Sequence, residues 1–291
     1  MTKTVPQIIE ALAAKIAVSA QTVQMQEVQL KMFPDWPDDR RGAPNPVVRS
    51  AIFGVRGRGK RKHVLDMPIA GPDKLDIRIT GWTLDQHDCD LWFEVHHLAR
   101  NGKPGDPVRF TMYSMLRRLG HPKIGKSDYA WLGLRLKQLS ETTISFKSES
   151  REGVVGNLLL AFELDHVTGE GVAWTNPRIR SLFEDVTHLN IEQRRALGSN
   201  QLAKALHAVI STHREWPRMR IDTLMQRVGA DYGRLRDFKR ELKAVLSDFE
   251  ARGWIKGFGF TAGFECDIVE IEINPTPSQQ RSLARQRSER E

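Results

Sequence analysis

Cysteine is nearly absent: the chain holds two, Cys89 and Cys266, with no Cys-x-x-Cys pair. That excludes a disulfide framework and a zinc site of the usual thiolate kind, and it predicts a reducing, cytoplasmic setting. Long apolar runs are missing as well. No stretch reaches the roughly 18 residues that a membrane span needs. The N-terminal apolar segment is interrupted by Glu10 and Lys15 rather than forming a signal-peptide core. Arrangements for catalysis are equally scarce. No Ser/His/Asp set or paired carboxylates stand out, so the expectation is a protein without enzymatic activity, resident metal or cofactor.

Positive charge is plentiful. The 291 residues carry a formal net charge of +8, which favours an anionic partner, and both nucleic acid and an acidic membrane qualify. The length suffices for two domains with separate cores. Thr4 and Gln7 can form a capping box for a short amphipathic helix through Ile9, Leu12 and Ile16. From Pro34 to Pro46 four prolines and clustered charge read as an extended linker. The expected division is therefore 1–46 as an N-terminal helix with a flexible segment, 47–185 and 186–275 as two folded domains, and 276–291 as a disordered basic tail.

An internal echo gives those domains content. Ser127-Asp128-Tyr129-x-x-Leu132-x6-Leu139 returns about a hundred residues later as Ala230-Asp231-Tyr232-x-x-Leu235-x6-Leu242. Each copy follows a short strand (Val108-Arg109-Phe110, Met219-Arg220-Ile221), a short helix (112–119, 223–228) and a glycine suited to a left-handed C-cap (Gly120, Gly229). That order is the outline of a winged helix, so the expected fold class is α+β with two tandem winged-helix domains. Residues 143–147 and 155–165 read as the strands of the first wing, and 254–260 and 264–273 as those of the second. Asn190-x-x-Gln193 caps one long helix through Leu197, Leu202, Leu206 and Val209, closed by Pro217.

A helix held in the major groove brings its first turns to base edges, where arginine forks onto guanine and lysine reaches phosphate. The candidate DNA contacts are Lys126, Ser127, Tyr129, Arg135 and Lys137 in the first copy, and Tyr232, Arg234, Arg236, Lys239, Arg240 and Lys243 in the second. Gly54-x4-Gly59-Lys60 imitates a phosphate-binding loop, yet Arg61 stands where a magnesium-binding hydroxyl belongs and no long helix follows. Its cations Arg56, Arg58, Lys60, Arg61 and Lys62 read instead as a flexible arm on DNA. His96 and His97 point about 100° apart on a helix and cannot chelate together, so they and the His87-Asp88-Cys89-Asp90 cluster read as structural. Tyr129 and Tyr232 as nicking nucleophiles would lack the paired histidines that such chemistry uses.

Gln29-Leu30-Lys31-Met32-Phe33 lies just before the proline-rich stretch, and it reads either as core or as a peptide whose apolar side chains fill a partner's pocket. With the two helical units, with 109–120, Leu182-Phe183 and Ser211-Thr212-His213-Arg214-Glu215-Trp216-Pro217, the chain resembles the TrfA family of plasmid replication initiators from about Gln24 to Phe260. The resemblance implies binding to direct repeats at a plasmid origin, melting of adjacent AT-rich DNA and recruitment of host proteins, including helicase, initiator and sliding clamp. It also implies a balance between inactive homodimers and DNA-binding monomers. The family's clamp-binding peptide maps onto Gln29, Leu30, Met32 and Phe33, with Lys31 and Met32 departing from its Gln-Leu-(Ser/Asp)-Leu-Phe pattern. Two other readings stay open at this point: a tandem winged-helix repressor and a tyrosine-dependent nicking initiator.

Overall fold

The computed structural model describes residues 33–57, 61–72, 76–147 and 152–274. In chain order come β1 (Arg40–Pro44), α1 (Asn45–Val48), β2 (Phe53–Gly54), β3 (His63–Ile69), β4 (Asp76–Trp82), β5 (Leu84–Asp85), α2 (Gln86–Ala99), β6 (Pro107–Thr111), α3 (Met112–Arg118) and α4 (Lys126–Ser140). They are followed by β7 (Thr143–Lys147), β8 (Glu152–Asn157), β9 (Ala161–Leu164), β10 (Glu170–Trp174), a 3-10 segment (Pro177–Glu184), β11 (Val186–Asn190), α5 (Ile191–Ala196) and α6 (Gln201–Ser211). The last elements are β12 (Met219–Arg220), α7 (Ile221–Arg227), α8 (Leu235–Ala251), β13 (Ile255–Thr261) and β14 (Ile268–Ile273).

Two units share one plan. In the first, β6, α3, α4, β9 and β10 form a strand, two helices and a hairpin, and the sheet order is β6-β10-β9. In the second, β12, α7, α8, β13 and β14 repeat it with the order β12-β14-β13. Each pair of helices is separated by a glycine in the left-handed region, Gly120 at φ 89° and Gly229 at φ 59°, where a Cβ would be strained. The apolar side chains divide into two buried clusters, one built around Trp92, Phe93, Phe183, Leu132 and Leu136, the other around Leu206, Phe238, Leu242, Leu246 and Phe249.

Several expectations are corrected. The strands paired beside α4 are β9 and β10; residues 143–147 instead join a four-stranded sheet, β3-β4-β7-β8. Alternation fits either pairing, so local pattern could not choose between them. The proline-rich stretch is no linker: β1 pairs antiparallel with β11, Trp36 and Ala43 are buried, and the Arg41 guanidinium donates to Glu94 at 2.8 Å and 3.0 Å. Residues on both sides of the expected breaks at 46 and 185 share contacts: Leu189 and Ala208 belong to the first cluster, and Val55 packs on the second. The expected long helix from Asn190 is split into α5 and α6 by Gly198, at φ 55°, after which the Asn200 side chain accepts the Ala203 N–H. The N-terminal helix and the basic tail lie outside the described residues. No described helix is long and apolar enough to cross a membrane.

Candidate nucleic-acid interface

Helix α4 begins after Gly125, whose N–H donates to the Asp128 carboxylate at 2.8 Å, while the second Asp128 oxygen pairs with His121 Nδ1 at 2.9 Å. Those hydrogen bonds, first from Gly125 and then from His121, hold the Asp128 carboxyl below the usual carboxylate range. Leu132, Leu136 and Leu139 bury one stripe at i, i+4 and i+7. The opposite ridge is solvated: Lys126, Ser127, Ala130, Leu134 and Lys137 are exposed. In α8 the stripe Phe238, Leu242, Val245, Leu246 and Phe249 is buried, and Arg236, Arg240 and Lys243 form the outward ridge. Arg234 precedes α8 at its N-cap and is exposed.

The residue echo and the structural repeat do not coincide. Gly120 precedes Lys126, and Gly229 precedes Leu235, by the same six residues. Asp128 and Tyr129 therefore sit within the first turn of α4, whereas Asp231 and Tyr232 lie in the turn before α8. Tyr129 is partly buried against the first core. Tyr232 packs edge-on against Phe238, with ring centroids 5.5 Å apart, and burial raises its phenol pKa.

Of the expected contacts, Lys126, Ser127, Lys137, Arg234, Arg236, Arg240 and Lys243 reach solvent together on two outward ridges. Lys137 and Arg240 have nearby acids, Glu141 at 3.8 Å and Glu241 at 3.2 Å, on exposed surface where such pairs are weak. Lys239 is turned aside, ion-paired with Asp267 and placed over the Phe260 ring. Arg135 does not share the outward ridge. Its guanidinium lies inside, 3.2 Å from Asp85 and 3.1 Å from Asp88, against the face of Trp131.

The flexible arm is corrected too. Arg61 reaches Asp85 at 2.6 Å and Asp88 at 2.7 Å. Arg56 donates to the Leu84 carbonyl at 3.1 Å, its backbone N–H is held by Gln201, and desolvation lowers its pKa. Lys62 remains exposed, and Arg58 and Lys60 lie outside the described residues.

Phe33 is likewise corrected as a peptide side chain free for a partner. It is 2% exposed, packed against Trp36, His96 and Phe183, because an aromatic ring gains far more in this cluster than in water. Gln29, Leu30 and Met32 lie outside the described residues. His96 and His97 face different partners: His96 Nδ1 lies 2.6 Å from the Trp92 carbonyl, and His97 Nδ1 accepts the Trp36 indole N–H at 3.0 Å.

Ala130 and Leu134 are the ridge residues that sequence reasoning passed over. Their signal was present in the phase of the helix, since each lies two residues from a buried leucine and hence on the far side.

The geometry has counterparts among known proteins. The chain is 25% identical over 245 residues to the plasmid replication initiator protein TrfA of Escherichia coli, an alignment spanning 80% of this chain but 63% of that protein's length. Domains 2 and 3 of RctB share the fold, with a TM-score of 0.51 and 12% identity over 79% of this chain and 98% of that one. The Pi initiator protein, solved in complex with iteron DNA, superposes with a TM-score of 0.48 and 16% identity over 65% of this chain and 94% of its own. The family described as TrfA protein matches residues 4–258, and the chain belongs to that family.

Proposed function

We propose that this protein is a sequence-specific, double-stranded DNA-binding initiator of plasmid replication, with two tandem winged helices that dock on direct repeats at the origin. The observation that carries the reading is the duplicated unit: each presents one helix whose outward ridge bears exposed cations, opposite a fully buried stripe. A helix of that kind fits the major groove, with its N-terminal turns at base edges and its lysines at phosphates. Opening of adjacent AT-rich DNA, engagement of host helicase and initiator, and an inactive homodimer belong to the same proposal through family membership.

Recruitment of the host sliding clamp through Gln29, Leu30 and Met32 belongs to the proposal through family membership as well, with Phe33 held in this protein's own core. The role is non-catalytic. Tyr232, the tyrosine nearest the second reader, is desolvated and made a weaker acid, the opposite of an activated nucleophile.

The test is a footprint of the full chain on the DNA flanking its gene. Two protected patches about 10 base pairs apart are expected, one for each helix in successive major grooves. One patch at saturation would refute the two-reader arrangement.

A further inference from the structure

We infer that α4 reads thymine methyl groups through Ala130 and Leu134, so that the two units recognise bases of different chemistry. The inference rests on the reading that both units dock on duplex DNA. Leu134 is 53% exposed, while Leu132 and Leu136 on either side of it are fully buried. Two residues along a helix is a rotation of about 200°, so Leu134 points away from the buried leucine stripe. Ala130 lies one turn earlier on the same ridge and is exposed as well. The corresponding ridge of α8 carries Arg236, Arg240 and Lys243.

In the major groove the thymine C5 methyl is the one apolar feature of a base edge, whereas guanine and adenine present acceptors and donors. Alanine and leucine side chains offer no hydrogen-bond partner. Facing guanine O6 and N7 they would strip water and return nothing, and facing thymine they bury a methyl. The surroundings favour DNA over a protein as the occupant. Lys123, Lys126 and Lys137 flank the apolar pair and are exposed, while Asp128 in the same helix is engaged by Gly125 and His121, and Glu141, just past the C-terminal end, by Lys137 and the Trp82 indole N–H. A ridge of cation, small apolar, larger apolar, cation places methyl contacts between two phosphate contacts.

The experiment uses the full chain and a duplex that it selects from a random library. That duplex is then synthesised with deoxyuridine in place of thymidine, which removes the methyl groups and leaves the base pairing intact. Wild-type protein should bind the uracil duplex about fourfold more weakly for each contacted methyl. Leu134→Ala should weaken binding to the thymine duplex and cause no further loss on the uracil duplex. Equal wild-type affinity for both duplexes, or an equal loss by Leu134→Ala on both, would overturn the inference while leaving the DNA-binding proposal intact. Failure to select any sequence would overturn both. Leu134 is half exposed, so the variant should keep its melting temperature, and the uracil arm needs no variant at all.

Discussion

The Asp88 carboxylate, wholly buried near the start of α2, lies 3.1 Å from the guanidinium of Arg135 in α4. Arg61 reaches the other oxygen of the same carboxylate at 2.7 Å. Burial, and next the neighbouring Asp85, push the Asp88 carboxyl up, and Arg61 opposes them. Arg135 therefore anchors α4 to α2. Arg135→Ala should cost about 2 to 4 kcal/mol in urea unfolding, because it leaves buried carboxylates short of a partner. Its base preference should stay that of the wild type; a change in selected sequence with unchanged stability would contradict the anchoring role.

Phe33→Ala should destabilise the protein by about 3 to 5 kcal/mol, the usual range for removing a buried phenyl ring. A melting temperature equal to that of the wild type would show that the ring does not occupy the pocket formed by Trp36, His96 and Phe183.

Acid should destabilise the fold through two buried histidines. His96 and His207 are buried, and desolvation lowers their pKa values to about 4 and about 3, below the ordinary 6.5. For a base with a depressed folded pKa the neutral form is the native one, so unfolding takes up protons. The contribution is complete above pH 6.5 and is lost as pH falls towards the folded value. Between pH 7 and pH 5 the two groups together should remove about 4 kcal/mol of stability, at about 1.4 kcal/mol per group per pH unit below 6.5. Denaturant titrations at the two pH values check this, and a flat profile would count against burial of both rings.

Gly229 seats the second unit against the segment around Gly54. A Cβ there would sit 2.8 Å from the Gly54 Cα, at a φ of 59° that disfavours any side chain. Beside it the Val55 N–H donates to the Val228 carbonyl at 3.0 Å. Gly229→Ala should cost about 1 to 3 kcal/mol and speed hydrogen exchange of the Val55 amide. Slow exchange in the variant would mean that the contact tolerates the methyl group.

Removing charge from α8 should separate reading from positioning. Arg236→Ala or Arg240→Ala should weaken binding to the selected duplex by about 1 to 3 kcal/mol and to random DNA very little. Lys243→Ala should weaken both alike and lower the salt dependence by about one unit of slope. Equal losses for all three on both DNAs would remove base reading from this helix.

What was legible in the chain was local. The α8 stripe from Phe238 to Phe249 has helical period, and Gly120 and Gly229 mark turns through a backbone conformation that few other residues accept. Solvent-facing cations on a helix could be read in the same way. The destinations of Arg41, Arg61, Arg135 and Arg194 could not, since a buried ion pair between distant segments leaves no periodic trace and a cation in sequence looks the same on a surface or inside. Proline content misled at 34–46 for a related reason. Trp36 lies over Gly42, where a Cβ would meet its ring at 2.6 Å, and this contact fixes a segment whose composition suggested a linker. The Asp128 and Asp231 echo matched letters across a shift of six residues, which only the helix starts expose.

Helix α2 has a bearing on how the chain is made. Asp90 is enclosed by Arg194 and Lys204, and Glu94 by Arg41 with Arg118 and Arg195 further off. During N-to-C synthesis α2 emerges well before 194, 195 and 204 exist, and until they arrive Asp90 has to stay in water. Helix α2 therefore completes its ion pairs only after residues 194–204 have been translated, and a nascent chain stalled near Asn190 should leave Asp90 without them.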